Sequence, residues 1–217
     1  NDARRADAAE EVVEQITGQG GRAFAIQADV SDEAQVMAMF AEIDRHPGQL
    51  TALVNNAGIL FQQATLEQLT AERINRVFAT NVTGSFICCR EAVKRMAFHH
   101  GGKGGGIVNV SSAAARTGSP GEYVDYAASK GAMDTLTKGL SLEVAAQGIR
   151  VNGVRPGFIY TEMHADGGEP GRVDRVAPGI PMQRGGQPEE IARIIAWLLS
   201  NDASYVTGTI VDAAGGR

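Results

Sequence analysis

Short apolar segments alternate with longer helical patterns along the whole chain, and this alternation limits the possible folds more than any other feature. Five apolar runs predict strands, at 23–26, 50–55, 107–110, 149–154 and 209–211. Strands that alternate with helices form parallel sheets whose two faces are both covered. The sequence therefore predicts one α/β domain over residues 1–217, a doubly wound parallel sheet in three α/β/α layers.

The helical patterns have recognisable ends. We expect helices at 4–17, 31–45, 70–100, 123–146 and 188–200. Ser31 and Thr70 are expected as N-caps, and Pro188 at a first turn. The glycine cluster at 101–106 precedes a strand, whereas a phosphate-binding loop follows one, so we predict a surface turn there. Residues 158–187 are rich in glycine and proline and are expected to be an irregular lid over the substrate.

Charge and composition exclude several kinds of partner. The chain carries a net charge of −5, so we expect neither nucleic acid nor an anionic membrane as a partner. No stretch approaches the roughly 20 apolar residues of a membrane helix, and the polar, acidic start is not a signal peptide. Cys88 and Cys89 show neither metal-ligand nor disulfide spacing, which predicts buried small side chains, no metal site and a cytoplasmic location.

Polar residues or glycines follow four of the predicted strands. They are Asp29, the segment 55–58, Ser112 and the segment 156–157. Ligands of open parallel sheets bind at the carboxyl ends of the strands. Each of these sites alone is also what an ordinary strand-to-helix turn looks like, but all four at one sheet edge predict a single cleft.

Tyr126 and Lys130 are the sharpest chemical signal. Residues i and i+4 share a helix face, so the phenol and the ammonium are expected one turn apart. A free phenol has a pKa of about 10, and a cation within roughly 5 Å lowers that pKa. Tyr126 could then give a proton to a forming alkoxide or take one from an alcohol. The alternative is an exposed Tyr/Lys pair on a helix surface.

Three further positions support the same site. Ser112 follows a strand and could hold the substrate oxygen against Tyr126, although a turn cap is the common role of such a serine. Ser111 competes for this role, but neighbouring strand residues point in opposite directions. Asn81 and Gly84 both disfavour the interior of the long helix, and such conflicts favour functional sites. Asn81 could bind a water that relays protons to Lys130, or be a tolerated polar residue.

The amides after the second predicted strand and the acid after the first have two interpretations each. The amides of 55–58 could brace a neighbouring strand or contact an adenine ribose. Asp29 could accept from an adenine amino group, or cap the next helix.

These motifs together resemble the short-chain dehydrogenase/reductase family. The matching residues are Asn55-Asn56-Ala57-Gly58, Asn81, Ser112, Tyr126-x-x-x-Lys130, Pro156-Gly157 and Tyr205-Val206-Thr207-Gly208. The resemblance implies a Rossmann-like sheet and hydride transfer between NAD or NADP and an alcohol or carbonyl carbon. It implies that Ser112 positions the carbonyl, Tyr126 is the acid/base, Lys130 lowers the Tyr126 pKa and binds the nicotinamide ribose, and Asn81 anchors a relay water.

The resemblance also implies a set of cofactor contacts. They are Asp29, Val30, Asn56, Ala57, Gly58, Tyr126, Lys130, Pro156, Gly157, Ile159 and Thr161. The family's first strand, its G-x-x-x-G-x-G turn, the following helix and the second strand are absent from this sequence. We therefore expect a sheet without its first strands, and a longer biological protein. The choice between NAD and NADP stays open, with Arg4 or Arg5 as a 2′-phosphate contact or as solvated helix charges.

Within the family, the chain is similar to bacterial glucose/sugar 1-dehydrogenases and to 3-oxoacyl-carrier-protein reductases. The first similarity implies oxidation of a sugar, the second reduction of an oxoacyl substrate. A non-catalytic, dinucleotide-sensing protein of the same fold is the third alternative. His164 is expected to be a surface residue of the lid. By analogy, helices at 71–98 and 123–147 form a dimer face, and the C-terminal segment a second interface, which implies a homodimer or homotetramer.

Overall fold

A four-stranded sheet forms the centre of the protein in the computed structural model, which describes residues 6–217. The strands are β1 (Ala52–Asn55), β2 (Gly105–Val110), β3 (Ile149–Pro156) and β4 (Ile210–Ala213). They lie side by side in chain order, and all three pairings are parallel. This confirms the parallel sheet predicted from the strand and helix alternation.

Nine α-helices of the described residues connect and cover these strands. They are α1 (Ala6–Gly18), α2 (Glu33–Ile43), α3 (Ala71–Phe78), α4 (Gly84–Met96), α5 (Ala114–Thr117), α6 (Val124–Val144), α7 (Met163–Asp166), α8 (Arg172–Val176) and α9 (Pro188–Leu199). None of the helices described is long and apolar enough to cross a membrane. The start of the predicted helix 4–17 lies outside the described residues.

Two apolar cores flank the sheet because successive strand residues point to opposite faces. Ile107 and Val151 belong to the core that α2, α4 and α6 build on one face. Val108 and Val154 belong to the smaller core under α9 on the other. The three α/β/α layers are therefore confirmed.

The predicted helix starts are confirmed at two positions and wrong at one. The Thr70 hydroxyl accepts from the Arg73 N–H at 3.2 Å, and Pro188 begins α9. Ser31 is not the N-cap of α2, because the Asp32 carboxylate accepts from the backbone N–H groups of Ala34 and Gln35. Both residue types are good caps, and the Ser31 hydroxyl donates to Asp29 instead, at 2.7 Å.

The strand predicted at 23–26 is wrong. Residues 21–30 have no strand, and one residue there, Gln27, has bridge geometry. Phe24 stays half exposed and stacks on the His46 ring, with 3.8 Å between the ring centroids. A strand needs a neighbour to satisfy its backbone, and within the described residues β1 pairs only with β2.

The long helix predicted between Thr70 and the two histidines is interrupted where the sequence analysis found a local conflict. A π-helical segment, Ala79–Thr83, separates α3 from α4 and has the fully buried Asn81 at its centre. Such π-turns occur mostly as short bulges within α-helices, often at functional sites.

Two predictions for the loops need correction. Gly105 and Gly106 belong to β2 and are not part of a surface turn. A Cβ at Gly105 would lie 2.2 Å from the Thr51 carbonyl oxygen, so glycine is needed for close strand packing there. The segment 158–187, predicted as irregular, contains the short helices α7 and α8.

Candidate active site

One large cleft lies at the carboxyl ends of the strands and has a volume of about 1300 Å³. With the exception of Asn81, every predicted site residue lines it. These are Asp29, Val30, Asn56, Ala57, Gly58, Ser112, Tyr126, Lys130, Pro156, Gly157, Ile159 and Thr161. The structure thus brings together residues from 29 to 161 at one sheet edge, as expected for an open parallel sheet.

Tyr126 and Ser112 meet in the wall of this cleft. Tyr126 lies in the first turn of α6, and its phenol is hydrogen-bonded to the Ser112 hydroxyl. The Ser112 oxygen also accepts from the Ala114 N–H at 3.1 Å, which fixes its position. Ser111 is held elsewhere, because its hydroxyl donates to the Lys130 carbonyl at 3.1 Å. Of the two serines, Ser112 is the one beside the phenol.

Burial controls the acidity of Tyr126. It raises the pKa of the phenol to about 12, and the Ser112 hydrogen bond opposes this only in part. That Lys130 lowers this pKa stays a prediction. The Lys130 Nζ lies over the face of the Tyr126 ring, 5.5 Å from its centroid, and burial is the largest influence on the phenol. Tyr126 is a neutral phenol at physiological pH.

Lys130 is buried on the same wall, with 3% of its surface exposed. Its ammonium donates to the Val110 carbonyl oxygen at 2.8 Å. Burial lowers the pKa of Lys130 to about 8, although the nearby Asp134 carboxylate acts in the opposite direction. A buried amine of this kind keeps its charge only by contacts with polar groups, and the cleft is the side from which a further acceptor can reach it.

Asn81 lies behind the cleft wall and fixes the loop that follows β1. Its amide oxygen accepts from the Ile59 N–H at 2.7 Å, and its amide nitrogen donates to the Ile59 carbonyl at 2.9 Å and to Ser129 Oγ at 3.0 Å. A Cβ on Gly58 would lie 3.3 Å from Lys130 Nζ and 3.5 Å from Asn81 Oδ1. Asn81 and Lys130 therefore flank the same glycine.

The polar residues after β1 and before α2 have different local roles. Asn55 donates from its amide to Asn109 Oδ1 at 2.8 Å, which braces β1 against β2. This is the bracing role that the sequence left open, whereas Asn56, Ala57 and Gly58 face the cleft. Asp29 accepts from the Ser31 N–H at 2.9 Å and forms a turn instead of capping α2.

The covering segment, residues 158–187, adds residues that the sequence analysis missed. Arg172 of α8 is 6% exposed, lines the cleft, and pairs with Glu122. Its guanidinium carbon lies 4.8 Å from the Tyr123 ring centroid. His164, predicted to be a surface residue, is half-buried and lies 2.9 Å from the Ile159 carbonyl oxygen. No sequence pattern marks Arg172, because its burial depends on contacts between distant segments.

The cleft fits a dinucleotide in its size and its donors. A volume of about 1300 Å³ exceeds the roughly 300–1,000 Å³ of a pocket for one drug-sized ligand. Gly58 and Gly157 keep its floor open, since a Cβ on Gly157 would lie 2.7 Å from the Ala214 Cα. The Lys130 ammonium and the amide of Asn56 offer donors at the same edge. Among the residues described, no cluster of three His, Cys, Asp or Glu could hold a metal ion.

Sequence relatives match almost the whole chain. A family profile described as enoyl-(acyl carrier protein) reductase matches residues 2–217. The uncharacterized oxidoreductase YgfF of Escherichia coli is 74% identical over 97% of this chain and 85% of its own length. Glucose 1-dehydrogenase 2 of Bacillus subtilis is 36% identical over 96% of this chain and 80% of its own. The 3-oxoacyl-[acyl-carrier-protein] reductase FabG of Staphylococcus aureus is 38% identical over 96% and 82%.

Solved structures agree with the sequence relatives. A short-chain type dehydrogenase/reductase from Mycobacterium marinum superimposes with a TM-score of 0.90 at 34% identity, over 99% of this chain and 83% of that one. A blue fluorescent protein from a metagenomic library, crystallised with NADPH, superimposes with a TM-score of 0.87 at 31% identity, over 100% and 85%. The chain belongs to the short-chain dehydrogenase/reductase family of oxidoreductases, with the Rossmann-like fold that the sequence motifs implied.

Proposed function

We propose that this protein interconverts an alcohol and a carbonyl compound with NAD or NADP, using Ser112, Tyr126 and Lys130 as its catalytic residues. The observation that carries the proposal is the arrangement of a phenol, a hydroxyl and an ammonium on one wall of the large cleft. The three groups come from α6 and from the loop after β2, so their positions depend on the fold and not on neighbouring sequence.

The cofactor is expected to lie along the cleft floor. Asp29, Val30 and the segment 56–58 would hold its adenosine end, and Lys130 with the segment 156–161 its nicotinamide end. A bound NAD(P) supplies or accepts the hydride. The NADPH complex of a related structure supports this choice of cofactor class.

Tyr126 moves the proton. Its phenol keeps the proton at neutral pH because burial raises its pKa to about 12, so it can protonate the oxygen of a carbonyl group as that carbon is reduced. The Ser112 hydroxyl, fixed by the Ala114 N–H, donates to the same substrate oxygen. Alcohol oxidation uses the reverse transfer, in which the phenolate accepts the proton of the alcohol.

Lys130 and Asn81 act from behind the phenol. The Lys130 ammonium places a positive charge near the ring, which stabilises the phenolate left after proton transfer. Asn81 forms hydrogen bonds with Ile59 of the loop and with Ser129 of α6. These bonds fix the position of Gly58 relative to Lys130. A water relay that starts at Asn81 remains our prediction. In the structure the Asn81 side-chain amide already has hydrogen-bond partners in the loop and in α6.

For the substrate, two classes have support. Similarity to a glucose 1-dehydrogenase supports a sugar, and similarity to a 3-oxoacyl reductase supports an oxoacyl compound.

Location and assembly belong to the same proposal. We place the protein in the cytoplasm, supported by two free, buried cysteines. We also propose a homodimer or homotetramer, supported by exposed apolar side chains on the expected interfaces, such as Phe86 on α4, Leu142 on α6 and Tyr205 near the C-terminus. Sedimentation of the purified chain measures the assembly state.

The test is a spectrophotometric assay at 340 nm with NADH and NADPH against a panel of sugars, oxo compounds and alcohols. Tyr126→Phe should lower kcat by about 10²- to 10⁴-fold and leave cofactor binding, measured by NADPH fluorescence, within a few-fold. Tyr160→Phe is the matched control, since Tyr160 lies outside the cleft and its hydroxyl donates to Asp174. Full activity in Tyr126→Phe would refute the acid/base role. Cofactor binding without turnover of any compound by the wild-type protein would favour the non-catalytic alternative.

A further inference from the structure

Arg172 is a buried charge whose hydrogen-bonding capacity is only partly used. Its Nη2 pairs with the Glu122 carboxylate, but its Nε–H is buried and has no hydrogen-bond partner among the described residues. A buried donor without an acceptor is costly, and a guanidinium cannot avoid the cost by losing its proton. Arg172 also lines the cleft, so its guanidinium can contact a molecule bound there.

A second guanidinium lies at the same end of the cleft. Arg172 and Arg217 both stack on Phe158, with their guanidinium carbons 5.3 and 5.0 Å from the ring centroid. Arg217 is exposed, lines the cleft, and has no ion-pair partner among residues 6–217. Glu122 therefore balances one of two positive charges.

One further acid lines this part of the cleft and has to be counted. Asp166 also borders the neighbouring hollow, together with Arg73 and Arg76. Glu122 and Asp166 therefore match Arg172 and Arg217 in number, but among the described residues only Glu122 forms an ion pair with either arginine. The Arg172 Nε–H remains an unused buried donor.

This end of the cleft is close to the proposed acid. Tyr123, whose ring lies 4.8 Å from the Arg172 guanidinium carbon, precedes Tyr126 by three residues and accepts the Ala127 N–H at its carbonyl, in the first turn of α6. One helical turn rises roughly 5 Å. Tyr123 and Tyr126 therefore lie about one turn apart on the same face of α6, with Arg172 against the first of them.

We infer that Arg172, assisted by Arg217, binds a carboxylate of the substrate, so that the substrate is a small oxo acid or hydroxy acid. The inference rests on the proposed function and narrows its substrate class. A carboxylate matches the site because it brings one negative charge and acceptor oxygens suited to a guanidinium. A phosphate dianion would bring more charge and more acceptors than one free Nε–H and one exposed arginine can satisfy.

The test compares each acid with its own methyl ester, so that the carbon skeleton is constant. The compounds are 3-oxobutanoate, 4-oxopentanoate and 5-oxohexanoate, their methyl esters, and dihydroxyacetone phosphate as the phosphate arm. For the wild-type protein at least one acid should exceed its ester in kcat/KM by about 10- to 100-fold, the value expected of a charge-assisted hydrogen bond. Arg172→Gln should remove this preference, so that kcat/KM for the acid falls to about the value for its ester.

A matched control lies on the same short helix. Arg175 is three residues further along α8, is exposed, and pairs with Glu169 at 2.9 Å, so Arg175→Gln should keep the preference for the acid. Arg217→Gln should reduce the preference in part, and it tests the inference even if Arg172→Gln fails to fold by circular dichroism.

A measurement without turnover separates this inference from the proposed function. The best acid should raise the Tm of the wild-type protein and of Arg175→Gln, but not of Arg172→Gln, and its ester should raise none of them. If oxo compounds are reduced but acids and esters react alike with no difference in Tm, the carboxylate site is wrong while the proposed function stands. If the acid raises Tm but no compound is reduced, the carboxylate site stands and the proposed function is wrong. If kcat/KM for dihydroxyacetone phosphate equals or exceeds kcat/KM for the best acid, the carboxylate assignment is wrong.

Discussion

The wall of the cleft that carries Tyr126 and the segment that covers it, residues 158–187, are built in opposite ways. The wall side chains are buried and fixed by bonds to backbone groups of other elements, as when Lys130 donates to Val110 and Asn81 to Ile59. The covering segment has helices of four and five residues, and exposed side-chain pairs such as Arg184 with Glu190.

This difference corresponds to two functions, proton transfer by the wall and selection of the substrate by the covering segment. Groups that move protons need fixed positions, which burial and backbone hydrogen bonds provide. A segment held by exposed ion pairs can open at little cost, because such pairs contribute little to stability. Among the charged residues of the covering segment, Arg172 is the buried one, and it packs against Tyr123 and Phe158.

Removing the ammonium from the wall should have the largest effect. Lys130→Met keeps the length of the side chain but loses the charge near the Tyr126 ring, so kcat should fall by about 10²- to 10⁴-fold. Lys138→Met is the control, because Lys138 lies two turns along α6 and is exposed. Steady-state kinetics with the best substrate measure both. If kcat of Lys130→Met falls by less than threefold, the charge of Lys130 does not assist proton transfer by Tyr126.

The next largest effect should come from breaking the ion pair between Arg73 and Asp125, next to Tyr126 in the sequence. Asp125 precedes Tyr126, is buried, and accepts from Arg73 Nε at 2.8 Å. Asp125→Asn leaves the guanidinium without its charged partner and should lower the free energy of unfolding by about 3 kcal/mol. Asp174→Asn, which changes an exposed acid of the covering segment, is the comparison in urea unfolding. Equal losses in the two variants would remove the contrast between the regions.

The buried ammonium should also make stability depend on pH. The pKa of Lys130 is about 8 in the folded protein and 10.5 as the ordinary value, so the unfolded chain binds more protons between pH 8 and 10.5. Stability should therefore rise with pH across this window, by up to about 3 kcal/mol, and Lys130→Met should lack the rise. Urea unfolding at pH 7.5, 9 and 10.5 measures the difference. A wild-type curve parallel to that of Lys130→Met contradicts the burial of a charged Lys130.

Local signals in the sequence predicted most of the wall. The spacing of Tyr126 and Lys130 needs only a helix, and Ser112 needs only the end of a strand, so both follow from neighbouring residues. The conflict at Asn81 predicted a special position, and the π-helical segment there agrees with it. The parallel sheet followed from the alternation of elements.

Properties that depend on distant contacts were not predictable in this way. Burial sets the direction of the Tyr126 pKa, and burial is decided by the whole fold. Arg172 is buried because it contacts Tyr123 at the start of α6 and Phe158 fourteen residues earlier in the chain. The failed strand at 23–26 has suitable residues but no neighbour in the sheet of the described chain. The choice of Asp32 over Ser31 as a cap shows that two adjacent cappers cannot be ranked from their type alone.

The smallest effect should come from the exposed pair at the end of the covering segment. Arg184 binds both carboxylate oxygens of Glu190 at 2.7 Å, and this contact lowers the pKa of Glu190 to about 2. Arg184→Gln leaves Glu190 free to keep its second bond, from the Gln187 N–H at the start of α9. The side chains are exposed, so Tm should change by less than about 3 °C.

The dependence on salt and pH distinguishes the exposed pair of Arg184 and Glu190 from the buried pair at Asp125. The depressed pKa of Glu190 means that the pair is intact above the ordinary value of 4.5 and is lost as pH falls toward 2. The small difference between wild-type protein and Arg184→Gln should therefore be the same at pH 6 and pH 8, and should shrink in 1 M NaCl. The deficit of Asp125→Asn should persist in salt, because Asp125 is buried and the Arg73 side chain is only 16% exposed. A salt-resistant loss in Arg184→Gln as large as that of Asp125→Asn would show that the covering segment is held as firmly as the wall, and opening of that segment would then be the costly step.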